Sequence, residues 1–272
     1  MAATGFHNSA VRAARLLHQK KHRLERRCFL IEGPLLLQAA MESGARIEQV
    51  FVLEDGTEID ASTLPSATVV RVDRRTLNSL SQTKTPHGIV AVVGFLDREA
   101  GQLKEIVPQS GTALVLVLPN LSDPGNAGTL IRSAEAFGAS AICFGPHAVE
   151  PYNDKVVRAT MGSLFRVPIV RYGDWRYLVA ALRAADLRIV AADASGADVR
   201  TITLPARTAL VVGQESRGLA GIPGDDLDAV VALPQRVGIE SLNAGVAGSL
   251  LLYECARAHG LFGAPARGTN HA

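Results

Sequence analysis

Three stretches in the C-terminal half hold residue types whose spacing could serve a ligand. The first is Asn120-Leu-Ser-Asp-Pro-Gly-Asn126, with Arg132 inside the helical pattern that follows. The second is Gly213-Gln-Glu-Ser-Arg-Gly218, and the third runs from Leu233 to Asn243. Each follows an apolar run, and loops leaving the carboxyl ends of parallel strands are where α/β sheets bind ligands. Gly213 can let a backbone approach a ligand closely, and Glu215 is the acid of its turn. A strand-to-loop turn with a solvated glutamate explains the same two residues. Ser241 stands before an apolar helix as a good N-cap. Asn243, in the first turn of that helix, needs a polar partner, and a ligand is one option. Arg132 lies among Leu130, Ile131 and Ala134, where a surface ion pair would serve it as well as a bound anion.

Several ligand chemistries fall away. The first apolar run of this half is not followed by Gly-x-Gly-x-x-Gly, which removes the fingerprint of a dinucleotide-dependent oxidoreductase. Gly213 and Gly218 have Walker-A spacing, but Leu219 stands where the phosphate-binding lysine must be. No serine nucleophile elbow and no kinase-type set is present. Cys28, Cys143 and Cys255 are far apart in the sequence and read as packing residues. The seven histidines show no ligand spacing, so no metal is expected.

The elements that must position these stretches follow from hydrophobic patterning. Ala113 to Leu118 is a continuous apolar run, the pattern of a parallel strand buried on both faces. A helix is expected over 127–137, strands over 141–144, 167–170, 187–191, 209–212 and 229–233, and a helix over 175–185. A last helix, over 242–259, is apolar almost all round and should be buried. This alternation predicts a doubly wound α/β sheet. The N-terminal half reads as a smaller α/β domain, with strands over 29–31, 49–53, 68–72 and 88–95 and helices over 34–43 and 74–81. Residues 97–111 lose the apolar pattern and carry Gly101, Pro108 and Gly111, which predicts a linker. Domains of 1–107 and 108–272 result.

A chain of 272 residues with 47% hydrophobic and 20% charged residues can build a core in both halves. No apolar run reaches the ~18 residues of a membrane span, and the N-terminus lacks a secretory pattern. The expectation is a cytoplasmic protein. The net charge of +2 conceals an asymmetry: Arg12, Arg15, Lys20, Lys21, Arg23, Arg26 and Arg27 stand against one acid, Glu25, within a single stretch. Ala13, Leu17 and Leu24 could anchor that stretch while its cations project outward. A solvated helix and a nucleic-acid contact are the two readings of such a run.

Taken in order, the three stretches resemble the SpoU/TrmH family of RNA 2'-O-ribose methyltransferases, of the knotted SPOUT superfamily. Asn120 to Glu135 resembles the family's first motif and Leu210 to Leu219 its second. Leu233-Pro234 with Ile239-Glu-Ser-Leu-Asn243 and the helix to Glu254 resembles the third. Lys155 to Pro168 is similar to the segment between motifs, with Thr160 where Ser is more usual. Ala244 departs from relatives that continue Asn-Val-Ser. The N-terminal half, through Phe29-Leu-Ile-Glu-Gly-Pro34, is similar to an L30e-like RNA-binding domain.

The resemblance implies a parallel sheet with a deep C-terminal trefoil knot, which patterning alone would not suggest because knots are rare. It implies S-adenosylmethionine as cofactor, RNA as substrate and a homodimer whose site is completed across the interface. Gly213, Gln214, Glu215, Gly218, Leu233, Pro234, Ile239, Leu242 and Asn243 are implied to hold the cofactor. Arg132 matches the family's catalytic arginine, with Asn126 and Glu135 orienting it and Glu215, Ser241 and Asn243 near the reacting centre. Because guanidinium stays protonated in proteins, Arg132 is read as a phosphate clamp rather than a base. The basic stretch then supplies salt-sensitive phosphate contacts. Ribosomal RNA is the favoured substrate. Transfer RNA, or an RNA-binding relative that has lost catalysis, are the alternatives.

Overall fold

The computed structural model describes residues 8–55, 64, 66–83, 86–214, 218–236 and 241–262. They fall into two compact units, one of residues 1–96 with 150–166 and one of residues 97–149 with 167–272.

In the first unit the basic stretch forms two helices, α1 (Ser9–Leu16) and α2 (Lys20–Arg26), joined by a turn rather than one continuous helix. Asn8 caps α1 by accepting from the Ala10 N–H at 2.8 Å. Val11, Ala14 and Leu17 are buried, whereas Leu24 is 42% exposed. The anchoring face therefore belongs to α1, and Leu24 is not part of it. Strand β1 (Cys28–Glu32), helix α3 (Pro34–Glu42), strands β2 (Ile47–Leu53) and β3 (Thr68–Val72), helix α4 (Arg74–Leu80) and strand β4 (Ile89–Gly94) complete this stretch. The sheet order is β1-β4-β2-β3, with β4 antiparallel to both neighbours and β3 parallel to β2.

Beyond Leu96 the expected linker is structured. A short strand β5 (Arg98–Glu99) and a helix α5 (Leu103–Ile106) belong to the second unit, and Ala100, Leu103 and Val107 are fully buried there. Their spacing is a short helical stripe, which the neighbouring glycines and proline obscure in the sequence. Strand β6 (Ala113–Leu118) leads into α6 (Pro124–Ala136), and β7 (Ala141–Phe144) follows. Asp123 caps α6 by accepting from the Asn126 N–H at 2.7 Å, and Pro124 fills its first turn, where a missing N–H costs nothing.

Residues 150–166 return to the first unit and carry α7 (Asp154–Ala159). Their Tyr152 ring lies 4.7 Å from Phe29 and 4.1 Å from Phe95, centroid to centroid. The chain then resumes the second unit with β8 (Ile169–Arg171), α8 (Trp175–Ala184), β9 (Arg188–Asp198), β10 (Arg207–Val212), β11 (Ala229–Ala232) and α9 (Ala244–His259).

The sheet of the second unit has the order β11-β9-β10-β6-β7-β8-β5, and every described pairing in it is parallel. Every residue of β6 and β7 is buried, as the apolar runs require. Cys143 and Cys255 are buried packing residues, and burial drives the Cys255 thiol up to about 12. Cys28, also buried, is raised to about 11 by desolvation and by its bond to Glu48. None of the three is a reactive thiolate.

Candidate active site at the carboxyl edge of the parallel sheet

The reversal of strand order around β6 and β10 places the loops after β6, β10 and β11 at one edge. The second loop is held by its own backbone. Gly218 N–H donates to Gln214 O at 2.7 Å, and the two residues form an isolated bridge. A Cβ on Gly213 would lie 2.0 Å from the Gly218 carbonyl oxygen, so no side chain fits there. Asn120, from the first loop, spans the turn: its Oδ1 accepts from the Gln214 N–H at 3.0 Å and its Nδ2 donates to Gly218 O at 3.4 Å.

A hollow of about 280 Å³ opens at this edge. Gly213, Gln214, Gly218, Leu233, Ser241 and Leu242, all singled out from the sequence, line it. Pro234 and Asn243 do not line it, while Glu215 and Ile239 lie outside the described residues. Ala192, Asp193 and Ala194 from β9, and Ala247 and Leu251 from α9, line it without having been anticipated. The signal for Asp193 was an acid two residues past the apolar run 187–191, by the same strand-end rule that located the other loops.

Asn243, not Ser241, caps α9, accepting from the Val246 N–H at 3.2 Å. Ser241 is exposed. A Cβ built on Gly245 would meet Asn126 Oδ1 at 2.9 Å and Asn243 Oδ1 at 3.1 Å, so the first and third motifs close on one glycine. The α6–α9 contact is tight nearby: Ser133 and Ser249 hydroxyls are 2.7 Å apart, and a Cβ on Gly248 would strike Leu130 at 2.6 Å. Arg132 is exposed on α6, and its guanidinium forms no ion pair among the described residues. Neither Asn126 nor Glu135 bonds it there. Glu135 is half-buried on the same helix.

The basic stretch divides. Arg12, Lys20 and Lys21 are exposed and Arg15 is half-buried. Arg26 donates to Ala13 O at 3.1 Å, and Arg27 lies 5.5 Å over the Phe95 ring. Arg23 is not available to a phosphate. It is only 4% exposed, its Nε and Nη2 hold Glu150 at 2.9 and 2.7 Å, and its Nη1 donates to Leu17 O and His18 O. A guanidinium buried in this way requires its carboxylate, and that need overrides the surface role read from charge density. Among the described residues no group of acids, histidines and cysteines could hold a metal, and no helix is long and apolar enough to cross a membrane.

Comparison with known proteins agrees with this geometry. The SpoU rRNA Methylase family model matches residues 113–253, and an MRM3-like substrate binding domain model matches residues 8–91. The 23S rRNA (guanosine(2553)-2'-O)-methyltransferase RlmP of Bacillus subtilis is 30% identical over 90% of this chain and 95% of its own length. The AdoMet-bound rRNA methyltransferase of Sinorhizobium meliloti superposes with a TM-score of 0.84 at 30% identity, covering 94% of this chain and 97% of that one. AviRb of Streptomyces viridochromogenes, a SpoU methyltransferase solved with AdoMet, gives 0.82 at 28% identity over 92% and 97%. With three motif loops gathered on one edge and more than half of its length matched, the chain belongs to the SpoU rRNA methylase family.

Proposed function

We propose that this chain transfers a methyl group from S-adenosylmethionine to a ribose 2'-hydroxyl of a structured RNA, with ribosomal RNA as the substrate class. The observation that carries this reading is that the second and third motif loops line one hollow, while the first braces it through Asn120 on Gln214 and Gly218 and through Asn126 beside Gly245. The names of the Bacillus and Sinorhizobium relatives support ribosomal RNA. The hollow suits the cofactor chemically: Val212, Leu242, Ala247 and Leu251 offer an apolar wall to a purine, and Gly213 and Gly218 line it without side chains. Bound there, S-adenosylmethionine would supply an electrophilic methyl group to the ribose oxygen, with S-adenosylhomocysteine as the leaving thioether.

The protein's own contribution is positioning. Gly213, Gln214, Gly218, Leu233, Ile239 and Leu242 hold the cofactor, Pro234 shapes the loop that carries Leu233, and Glu215 balances the cofactor's positive charge. Arg132 projects from α6 without an ion pair among the described residues and suits a bidentate grip on the target phosphate. It cannot take the 2'-hydroxyl proton, which passes to phosphate or water. Asn126, Glu135, Ser241 and Asn243 fix the surrounding loops. Arg12, Arg15, Lys20, Lys21, Arg26 and Arg27 contact RNA phosphates from an L30e-like first unit. The C-terminal segment is threaded as a trefoil knot behind the hollow.

The second partner is another copy of the chain. On α9, Val246, Leu250 and Tyr253 share one face and are 48%, 46% and 41% exposed, and Phe262 adjoins them at 43%. Phe137, Tyr253 and Phe262 form a ring cluster with centroids 5.2–6.2 Å apart. An exposed apolar patch of this size supports an interface there, and Ala247 and Leu251 of the same helix line the hollow.

Mapping 2'-O-methyl positions in RNA from wild-type and deletion cells tests the reaction. A lost position in ribosomal RNA is expected, and unchanged maps would refute the reading. Arg132→Lys keeps the charge but not the fork. Its turnover on RNA should fall at least tenfold, about 1.4 kcal/mol, with cofactor affinity unchanged. Near-full turnover would rule out the clamp.

A further inference from the structure

The edge strand pair beside the hollow contains a local device whose purpose the three motifs do not explain. Strands β9 and β11 run in register to Ala191↔Val230, then resume at Ala197↔Val231, so residues 192–196 loop out of the β9–β11 ladder while Ala192 still pairs with Val212 of β10. The extrusion is tightly built. A Cβ on Gly196 would lie 2.6 Å from the Val231 backbone nitrogen, which restricts that position to glycine. A bulge of this kind re-aims a side chain. The side chain it delivers to the hollow is Asp193.

Asp193 is also locked in rotation. Its Oδ1 accepts from the Ser195 N–H at 2.9 Å and from the Ser195 hydroxyl at 2.7 Å. These bonds hold the carboxyl below the usual range, so it is ionised wherever RNA is stable. Oδ2 accepts from no described residue and lies 3.6 Å from where a Cβ of Gly218 would stand. Among the described lining residues Asp193 is the one acid. A fixed carboxylate with one open oxygen presents an acceptor to a hydrogen-bond donor in the hollow.

Which end of the cofactor it meets follows from topology. The sheet runs β11-β9-β10-β6, so Asp193 stands across β10 from the loop after β6, which carries Asn126 and leads to Arg132. A methyl group delivered to RNA gripped by Arg132 would face those residues, which would leave the adenosine end toward β9.

We propose that Asp193 is a binding residue for the ribose hydroxyls of the cofactor's adenosine, aimed by the 192–196 extrusion and by Ser195. This rests on the hollow being the S-adenosylmethionine site.

Calorimetry on the full chain tests it without any RNA, using S-adenosylhomocysteine and 5'-methylthioadenosine, which lacks the amino-acid end. Asp193→Asn should weaken both ligands by about tenfold, the cost of one charge-assisted bond. Wild type should bind adenosine more tightly than 3'-deoxyadenosine, and the Asn variant should lose that preference. Ser195→Ala, which frees the carboxylate, should give a smaller loss in the same direction. Unchanged affinities in Asp193→Asn would overturn the assignment. So would a loss confined to S-adenosylhomocysteine, which points to the ammonium group, or a ribose preference that survives in the variant. Failure of the wild type to bind either ligand would instead refute the cofactor site itself. Thermal melts matching wild type exclude misfolding as the cause.

Discussion

Asn120 shows how one side chain can shape a binding loop it does not belong to. Its amide reaches from the end of β6 to both ends of the turn after β10, accepting from Gln214 and donating toward Gly218. Gly213, just before Gln214, is pressed against the Gly218 carbonyl so closely that only glycine fits. The turn thus has an internal bond, Gly218 N–H to Gln214 O, and an external clamp. If the clamp matters, Asn120→Ala should weaken S-adenosylmethionine by about tenfold, since each lost bond is worth roughly 1 kcal/mol. The variant should melt within a few degrees of wild type, because the amide is only partly buried. Calorimetry beside a thermal melt separates the two effects. Unchanged affinity would mean that the internal bond alone sets the turn. Asn120 was visible in the sequence as part of the first motif, yet its partners lie 94 and 98 residues away. No local pattern could have supplied them.

At the scale of elements, the excursion of residues 150–166 is the feature that organises the first unit. Glu150 begins the segment and receives Arg23 through two hydrogen bonds, with both side chains at least 95% buried. Removing one partner strands a buried charge, at a cost of about 3–5 kcal/mol, whereas the pair itself contributes far less. Glu150→Gln should therefore lower the melting temperature of the first unit well beyond Lys20→Ala or Arg12→Ala. Arg23→Met combined with Glu150→Leu should recover much of the loss, and a double variant no more stable than the single one would argue against a simple stranded charge. The same pair explains where sequence reading failed. Arg23 is one of seven cations in its stretch, and nothing local distinguishes the one that folds inward. Strands were legible where both faces are buried, as in β6 and β7, because an uninterrupted apolar run has few other uses. Short stripes flanked by turn formers were not. Ala100, Leu103 and Val107 looked like linker and are core. Helix α9 looked buried all round because its exposed face is also apolar. The extrusion of 192–196 could not be read at all, since it depends on the register of a strand that follows 30 residues later.

Across the whole molecule, the exposed face of α9 bears on function as much as on assembly. A helix with Ala244, Gly248, Leu251, Leu252 and Cys255 inward and Val246, Leu250 and Tyr253 outward has no polar face along that stripe to leave in water. The inward face packs α6, which carries Asn126 and Arg132, and the same helix sends Ala247 and Leu251 into the hollow. An interface formed on the outer face would therefore stiffen, from behind, the elements proposed to hold both cofactor and RNA. Leu250→Arg places a charge at the centre of the stripe and, being exposed in the single chain, should leave its melt nearly unchanged. Sedimentation velocity should show a dimer for wild type and a monomer for the variant. If the partner also completes the site, the monomer should lose methyl transfer at least tenfold even at saturating cofactor, a loss of about 1.4 kcal/mol in the barrier. Were it merely less stable, raising the cofactor concentration would restore the rate. A variant that stays dimeric would place the interface elsewhere, and a monomer with full activity would confine every reacting group to one chain.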